Sequence, residues 1–148
     1  MIKNERQYRI TKAQAEKFTQ TLRALQAASQ PGIPPRLYKA QVDQVDAIGS
    51  QLEDLNRELA EYQALRSGKR KMVALSSLEE LPKTLIQGRI AAGLSQEELA
   101  AKLGIKPQQV QRYEATEYRS ASFARVNEVA RVLGIKLRHR AAFRLASY

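Results

Sequence analysis

The stretch "SQEELAAKLGIKPQQVQRYE", residues 95–114, decides how the rest of the chain is read. Ser95 is followed three residues later by Glu98, the spacing of a capping box that opens a helix. Leu99, Ala100 and Leu103 then mark an apolar face, and the small Ala100 lets another helix cross closely. Gly104 supplies a turn, Ile105 plugs beneath it, and Pro107 restarts a helix at once. Two short helices joined this tightly have the geometry of a helix-turn-helix.

The second of the two helices sorts its residues cleanly. On a wheel advancing about 100° per residue from Val110, Tyr113 and Glu114 fall within about 60° of it and complete an inner face. Gln108 and Arg112 lie at about 160° and 200°, pointing directly away, with Gln109 and Gln111 on the two flanks. A solvated face would usually mix Lys with Glu, whereas here no acid points outward before Glu117. Outward Gln and Arg in the early turns suit the DNA major groove. Gln can bond adenine N6 and N7 together, and Arg can do the same with guanine O6 and N7. Gln108, Gln109, Gln111 and Arg112 are therefore the candidate base-reading residues.

The inward Glu114 needs a cation, because a buried carboxylate is costly unless paired. In the helix expected over residues 82–92, Leu85, Ile86 and Ile90 surround Arg89, which places a guanidinium at an apolar position. Arg89 and Glu114 are expected to form a structural ion pair.

Around this centre the chain divides by its punctuation. Thr11 and Gln14 have capping-box spacing, and Ala15, Phe18, Leu22 and Leu25 follow at helical spacing. "SQPGIPP" ends that helix, and Pro35 suits the first turn of a second one running to about residue 65. Val45, Ile48, Leu52, Leu55, Leu59 and Tyr62 form a narrow coiled-coil-like seam along it. The first helix, read as about half as long, is the nearest cover, and any uncovered part of the seam falls to a second chain. "RSGKRKM" reads as a linker, and Ser76 with Glu79 as a new cap. Helices are expected over residues 82–92, 96–103, 107–115 and 123–133, with Gly93, Gly104 and Gly134 as stops. Alternation in "IKLR" leaves room for a short C-terminal strand, paired near Tyr8–Ile10 or with a second subunit; a disordered basic tail is the alternative. The fold class is all-α: an N-terminal helical hairpin (1–66), a basic linker (67–75), a compact helix-turn-helix domain of four to five helices (76–137) and a basic tail (138–148).

Charge adds a second line of argument. The net charge is +10, and seven of those ten surplus charges lie in residues 67–74 and 135–148. Concentrated positive charge attracts polyanions such as nucleic acid or anionic lipid, although solvated flanks look the same. No stretch approaches the ~18–20 apolar residues of a membrane span. "MIKNERQYRITK" has no apolar signal region and cysteine is absent, so a cytoplasmic protein without disulfides or thiolate metal sites is expected. His139 is the only histidine, no Gly-rich phosphate loop occurs, and the acids are scattered. Neither an enzyme, a metal site nor a cofactor is expected.

In their order, "LIQGRIAAGLSQEELAAKLGI", "QQVQRYE" and "FARVNEVARVLGI" give residues 82–137 a specific resemblance to the Xre, or phage-repressor-type, helix-turn-helix regulators. The resemblance implies phosphate contact by Gln96, base reading by Gln108, Gln109 and Arg112, and a bracing Arg89–Glu114 pair. Two positions depart from the family pattern: Lys106 stands where a Ser or Thr cap is common, and "ATEYRSAS" replaces a Gly-containing turn. Lys106 and Arg119 are accordingly taken as further phosphate-contact candidates. The implied function is sequence-specific binding of double-stranded DNA by a transcriptional regulator, a repressor, acting as a homodimer on a palindromic operator. The alternative is the antitoxin of a toxin–antitoxin pair, which would bind its toxin partner through the N-terminal hairpin and repress its own operon.

Overall fold

The computed structural model describes residues 1–28, 32–68, 73, 75 and 77–137. Among them the chain is helical: α1 (Glu5–Ala27), α2 (Pro35–Arg66), a 3-10 turn (Leu78–Glu80), α3 (Leu81–Ala91), α4 (Gln96–Leu103), α5 (Pro107–Ala115) and α6 (Phe123–Val132). No strand forms among the described residues. Tyr8–Ile10 lies inside α1, and residues 135–137 are irregular, so the strand pairing considered near Tyr8–Ile10 has no edge to join. Instead, Ile135 folds back under α3 at Gly88, where a Cβ would sit 2.7 Å from the Ile135 Cδ1 atom. Ser76 and the tail 138–148 lie outside the described residues, and Ser77 is the residue that precedes the 3-10 turn.

α1 starts earlier than the Thr11–Gln14 spacing indicates. Asn4 is its cap: the side-chain oxygen accepts the Gln7 N–H at 2.9 Å, and the Gln7 side chain accepts the Lys3 N–H at 2.8 Å. α1 is thus 23 residues long against 32 for α2, not half of it, and runs antiparallel along it. Tyr8 stacks on Tyr62 with ring centroids 5.2 Å apart, while Gln41 Nε2 donates to the Leu25 carbonyl at the other end. The seam residues Val45, Ile48, Leu52, Leu55 and Leu59 are only half-buried, as expected where two helices pack without a third layer.

The main core lies at the other end of the hairpin. Leu85, Ile86, Leu99, Ala100, Val110 and Val129 are essentially inaccessible and form one cluster with Ile2, Tyr62 and Leu65. The hairpin base and the first residues of the chain therefore share a core with α3–α6. Ala100, with no exposed surface, makes the close helix crossing that its size allows. Gly104 takes a left-handed φ of 65°, and the Gly104 and Ile105 N–H groups donate back to the Ala101 and Ala100 carbonyls. Those bonds fix the turn between α4 and α5.

Candidate nucleic-acid interface

α5 is held from behind by a buried polar cluster. Glu114 has no exposed surface and accepts from Arg89 Nε at 2.6 Å, Arg89 Nη2 at 2.8 Å and Gln96 Nε2 at 2.7 Å. The remaining guanidinium bonds go to the Leu94 carbonyl at 2.7 Å and the Lys3 carbonyl at 2.6 Å. Lys3 Nζ in turn donates to the Glu114 carbonyl at 2.6 Å. Arg89 and Glu114 thus form a two-pronged ion pair that ties α3 to α5, with α4 joined through Gln96 and the N-terminal segment through Lys3. Burial of a charge pair of this kind is tolerated because every strong donor has an acceptor.

The opposite face of α5 is open. Lys106, Gln108, Gln109 and Arg112 are exposed and border one shallow depression together with Tyr113 and Ser120. Gln109 Nε2 donates to the Tyr113 hydroxyl at 3.0 Å, so this flank residue is held by a ring seated in the core. Lys106 precedes α5 in extended conformation, exposed, and makes no side-chain capping bond because an ammonium has no acceptor to offer. Gln111 is exposed on the other side of the helix and borders a separate groove with Lys3, Arg6, Gln7, Ser95 and Gln96. The structure thus gathers Lys106, Gln108, Gln109 and Arg112, and separates Gln111 from them.

Gln96 is the residue whose position changes most against expectation. It is buried, and its amide is used by Glu114 rather than presented outward. As the first residue of α4 it still has a backbone N–H outside the intrahelical ladder, since Ser95 caps only the Glu98 amide. Glu98 completes the box by accepting the Ser95 N–H at 2.7 Å. The Glu98 pKa is lowered from its ordinary value, chiefly by that backbone bond and then by the Ser95 hydroxyl.

The turn after α5 solves without glycine a problem that glycine usually solves. Glu117 and Tyr118 have φ values of 48° and 58°, in the left-handed region that side chains disfavour. The Tyr118 N–H donates to the Tyr113 carbonyl at 2.6 Å, and its ring stacks on Tyr113 at 5.9 Å in the core. Burial of the ring is the compensation for the strain. That burial, before any charge effect, also pushes the phenol pKa well up. Arg119 is exposed on this turn and borders a second depression, which meets the α5 depression at Ser120.

Sequence reasoning missed the contribution of residues 1–3. Ile2 is buried in the core, and Lys3 bonds both partners of the ion pair through its own backbone and side chain. The only local signal was Asn4 and Gln7 at capping spacing, which marks a helix starting early enough to bring these residues in.

The family model described as "Helix-turn-helix" matches residues 85–139, somewhat more than a third of the chain. The match is consistent with the Xre-type helix-turn-helix and spans the α4–α5 pair. No curated protein and no solved structure matches the chain. Among the described residues, no helix is long and apolar enough to cross a membrane.

Proposed function

We propose that this helix-turn-helix chain is a sequence-specific DNA-binding transcriptional regulator, a repressor, that reads the major groove with α5. One observation carries the reading: Lys106, Gln108, Gln109 and Arg112 share an exposed depression on a helix whose other face is locked by the Arg89–Glu114 pair. A recognition helix must present base-reading groups on a rigid backbone, and this arrangement supplies both. Gln108, Gln109 and Arg112 read base edges, and Gln111 contributes from the flank. Lys106, Arg119 and the α4 start at Gln96 hold phosphates. Gln96 does so through its backbone amide, because its side chain serves Glu114.

The protein acts as a homodimer in this reading, with two copies of α5 about 34 Å apart on a palindromic site. Leu37, Tyr38 and Val42 support a protein–protein contact, since they are 61%, 57% and 38% exposed in the first turns of α2. The same apolar cluster favours a second reading, in which the hairpin (1–66) binds a toxin and the chain is its antitoxin. Its test is copurification of a small toxic partner with the wild-type chain and loss of that partner with Tyr38→Glu.

Enrichment of a duplex from a random-sequence pool by the full chain tests the first reading. The enriched duplex should bind at least ~10³-fold more tightly than a scrambled one at matched salt. Arg112→Ala should cost ~1–3 kcal/mol on that duplex and relax preference at one base pair. Equal affinity for both duplexes would overturn the proposal.

A further inference from the structure

The reading face of α5 is bordered on its Gln111 side by a groove of about 700 Å³ that the helix-turn-helix segment does not build alone. One wall is the start of α4, with Ser95 and Gln96; the other is the first turn of α1 and the residue before its cap, with Lys3, Arg6 and Gln7. The α1 wall is held in place by the bonds between Lys3, Arg89 and Glu114, so it moves with α5 rather than independently of it. Consecutive residues of α5 thus face two surfaces: Arg112 the depression assigned to bases, and Gln111 the groove beside α1.

The size of DNA says what lies along that groove. A helix with its side chains is about 10–12 Å across, and the major groove is about 12 Å wide, so a seated helix has a phosphate strand along each flank. The α1 wall of the groove brings two cations, Lys3 and Arg6, to such a strand. Glu5 is paired with Arg66, whereas Glu98 is held at the Ser95 cap by a neutral N–H that does not offset its charge. Arg6 is exposed with no ion-pair partner among the described residues, and Lys3 Nζ bonds a carbonyl rather than a carboxylate. Glu97 and Glu98 are the acids of the groove lining that oppose them.

We propose that the first turn of α1, through Arg6 with Lys3 and Gln7 in support, is a second phosphate-contacting surface for the DNA strand that flanks α5 on the Gln111 side. This inference rests on the DNA-binding reading and gives the N-terminal helix a role in DNA affinity, not only in protein contacts. Arg6 contributes charge rather than sequence preference, because a phosphate contact is the same at every base step.

The test compares Arg6→Ala with Arg23→Ala in the full chain. Both remove one exposed cation from α1, but Arg23 lies 17 residues further along, about 25 Å at the rise of a helix. Affinity is measured for the enriched duplex and a scrambled duplex across a salt series, with circular dichroism to verify folding. Arg6→Ala should weaken both duplexes by about 3–10-fold, keep their ratio, and reduce the slope of log K against log salt by ~0.9. Arg23→Ala should leave the slope unchanged. Equal slopes for the two variants overturn the α1 contact while leaving the reading by α5 intact. A wild-type chain that does not discriminate between the duplexes overturns the α5 reading instead, and the Arg6 and Arg23 slopes on scrambled DNA still decide the α1 contact.

Discussion

Glu114→Gln is the sharpest perturbation of this structure, because it removes a charge and almost no volume. The carboxylate has no exposed surface and three donors within 2.8 Å: two from Arg89 and one from Gln96. A glutamine has one acceptor oxygen and an amide that donates, so one of those donors must face another N–H. Arg89 is 2% exposed, and its other acceptors, the Leu94 and Lys3 carbonyls, carry no charge. The variant therefore buries an uncompensated guanidinium, which costs ~3–5 kcal/mol. With a urea dependence of ~1–3 kcal/mol per molar, the unfolding midpoint should fall by about 2 M. The double variant Arg89→Met/Glu114→Leu removes both charges and keeps volume. It still strands Gln96 and the Lys3 and Leu94 carbonyls, at ~1–3 kcal/mol for each group left unsatisfied. It should nevertheless lose ~1–3 kcal/mol less than the sum of the two single variants, read by equilibrium urea unfolding. A midpoint shift below ~0.5 M for Glu114→Gln, or strict additivity in the double variant, refutes the reasoning.

Leu65→Ala should cost ~2–5 kcal/mol, because the residue is 1% exposed and sits in the cluster that joins α2 to α3–α6. The hairpin and the helix-turn-helix should still melt in one transition, and two separated transitions would contradict the shared core. Glu117→Gly relieves a left-handed φ worth ~1–2 kcal/mol against ~0.5–1 kcal/mol of added chain entropy. Its melting temperature should rise by about 1–4 °C, and a fall would mean the turn is unstrained. The lowered Glu98 pKa predicts a pH effect at the start of α4. Its contribution to stability is present above the ordinary carboxylate value of 4.5 and is lost as pH falls through the lower folded value. Glu98→Gln should therefore flatten the acid limb of the urea midpoint against pH, and an unchanged limb would exclude the capping box as its source.

The parts of the fold legible from the sequence are those with local determinants. α4 and α5 begin and end where Ser95, Gly104 and Pro107 put them, because a cap, a left-handed glycine and a first-turn proline act within one turn. Arg89 and Glu114 were visible because each is a charge at an apolar wheel position, and two such charges have few partners to choose from. The start of α1 was not legible, since Asn4–Gln7 and Thr11–Gln14 have the same capping spacing. The choice between them is made at a distance, by the burial of Ile2 and the stacking of Tyr8 on Tyr62. The side-chain bond of Gln96 was not legible for a related reason: nothing local gives the reach of a glutamine towards a carboxylate 18 positions later.

The same distinction explains the two flanks of α5. By sequence Gln109 and Gln111 are equivalent, each about 80° from the centre of the outward face. Packing makes them unlike. Tyr113 takes up the amide of Gln109 beside Lys106 and Arg112, whereas the N-terminal segment places Lys3 and Arg6 next to Gln111. Lys106 follows the same logic at the helix start. It gives up the cap that Ser or Thr would provide, at ~1 kcal/mol, and sets a cation at the rim of the reading face. With Arg119 on one side of that face and Arg6 on the other, cations flank α5 where phosphate strands would run, while its centre carries Gln108 and Arg112. In the proposed mode of binding, the residues that depart from the family pattern thus lie at the edges of the interface, where charge matters more than sequence discrimination.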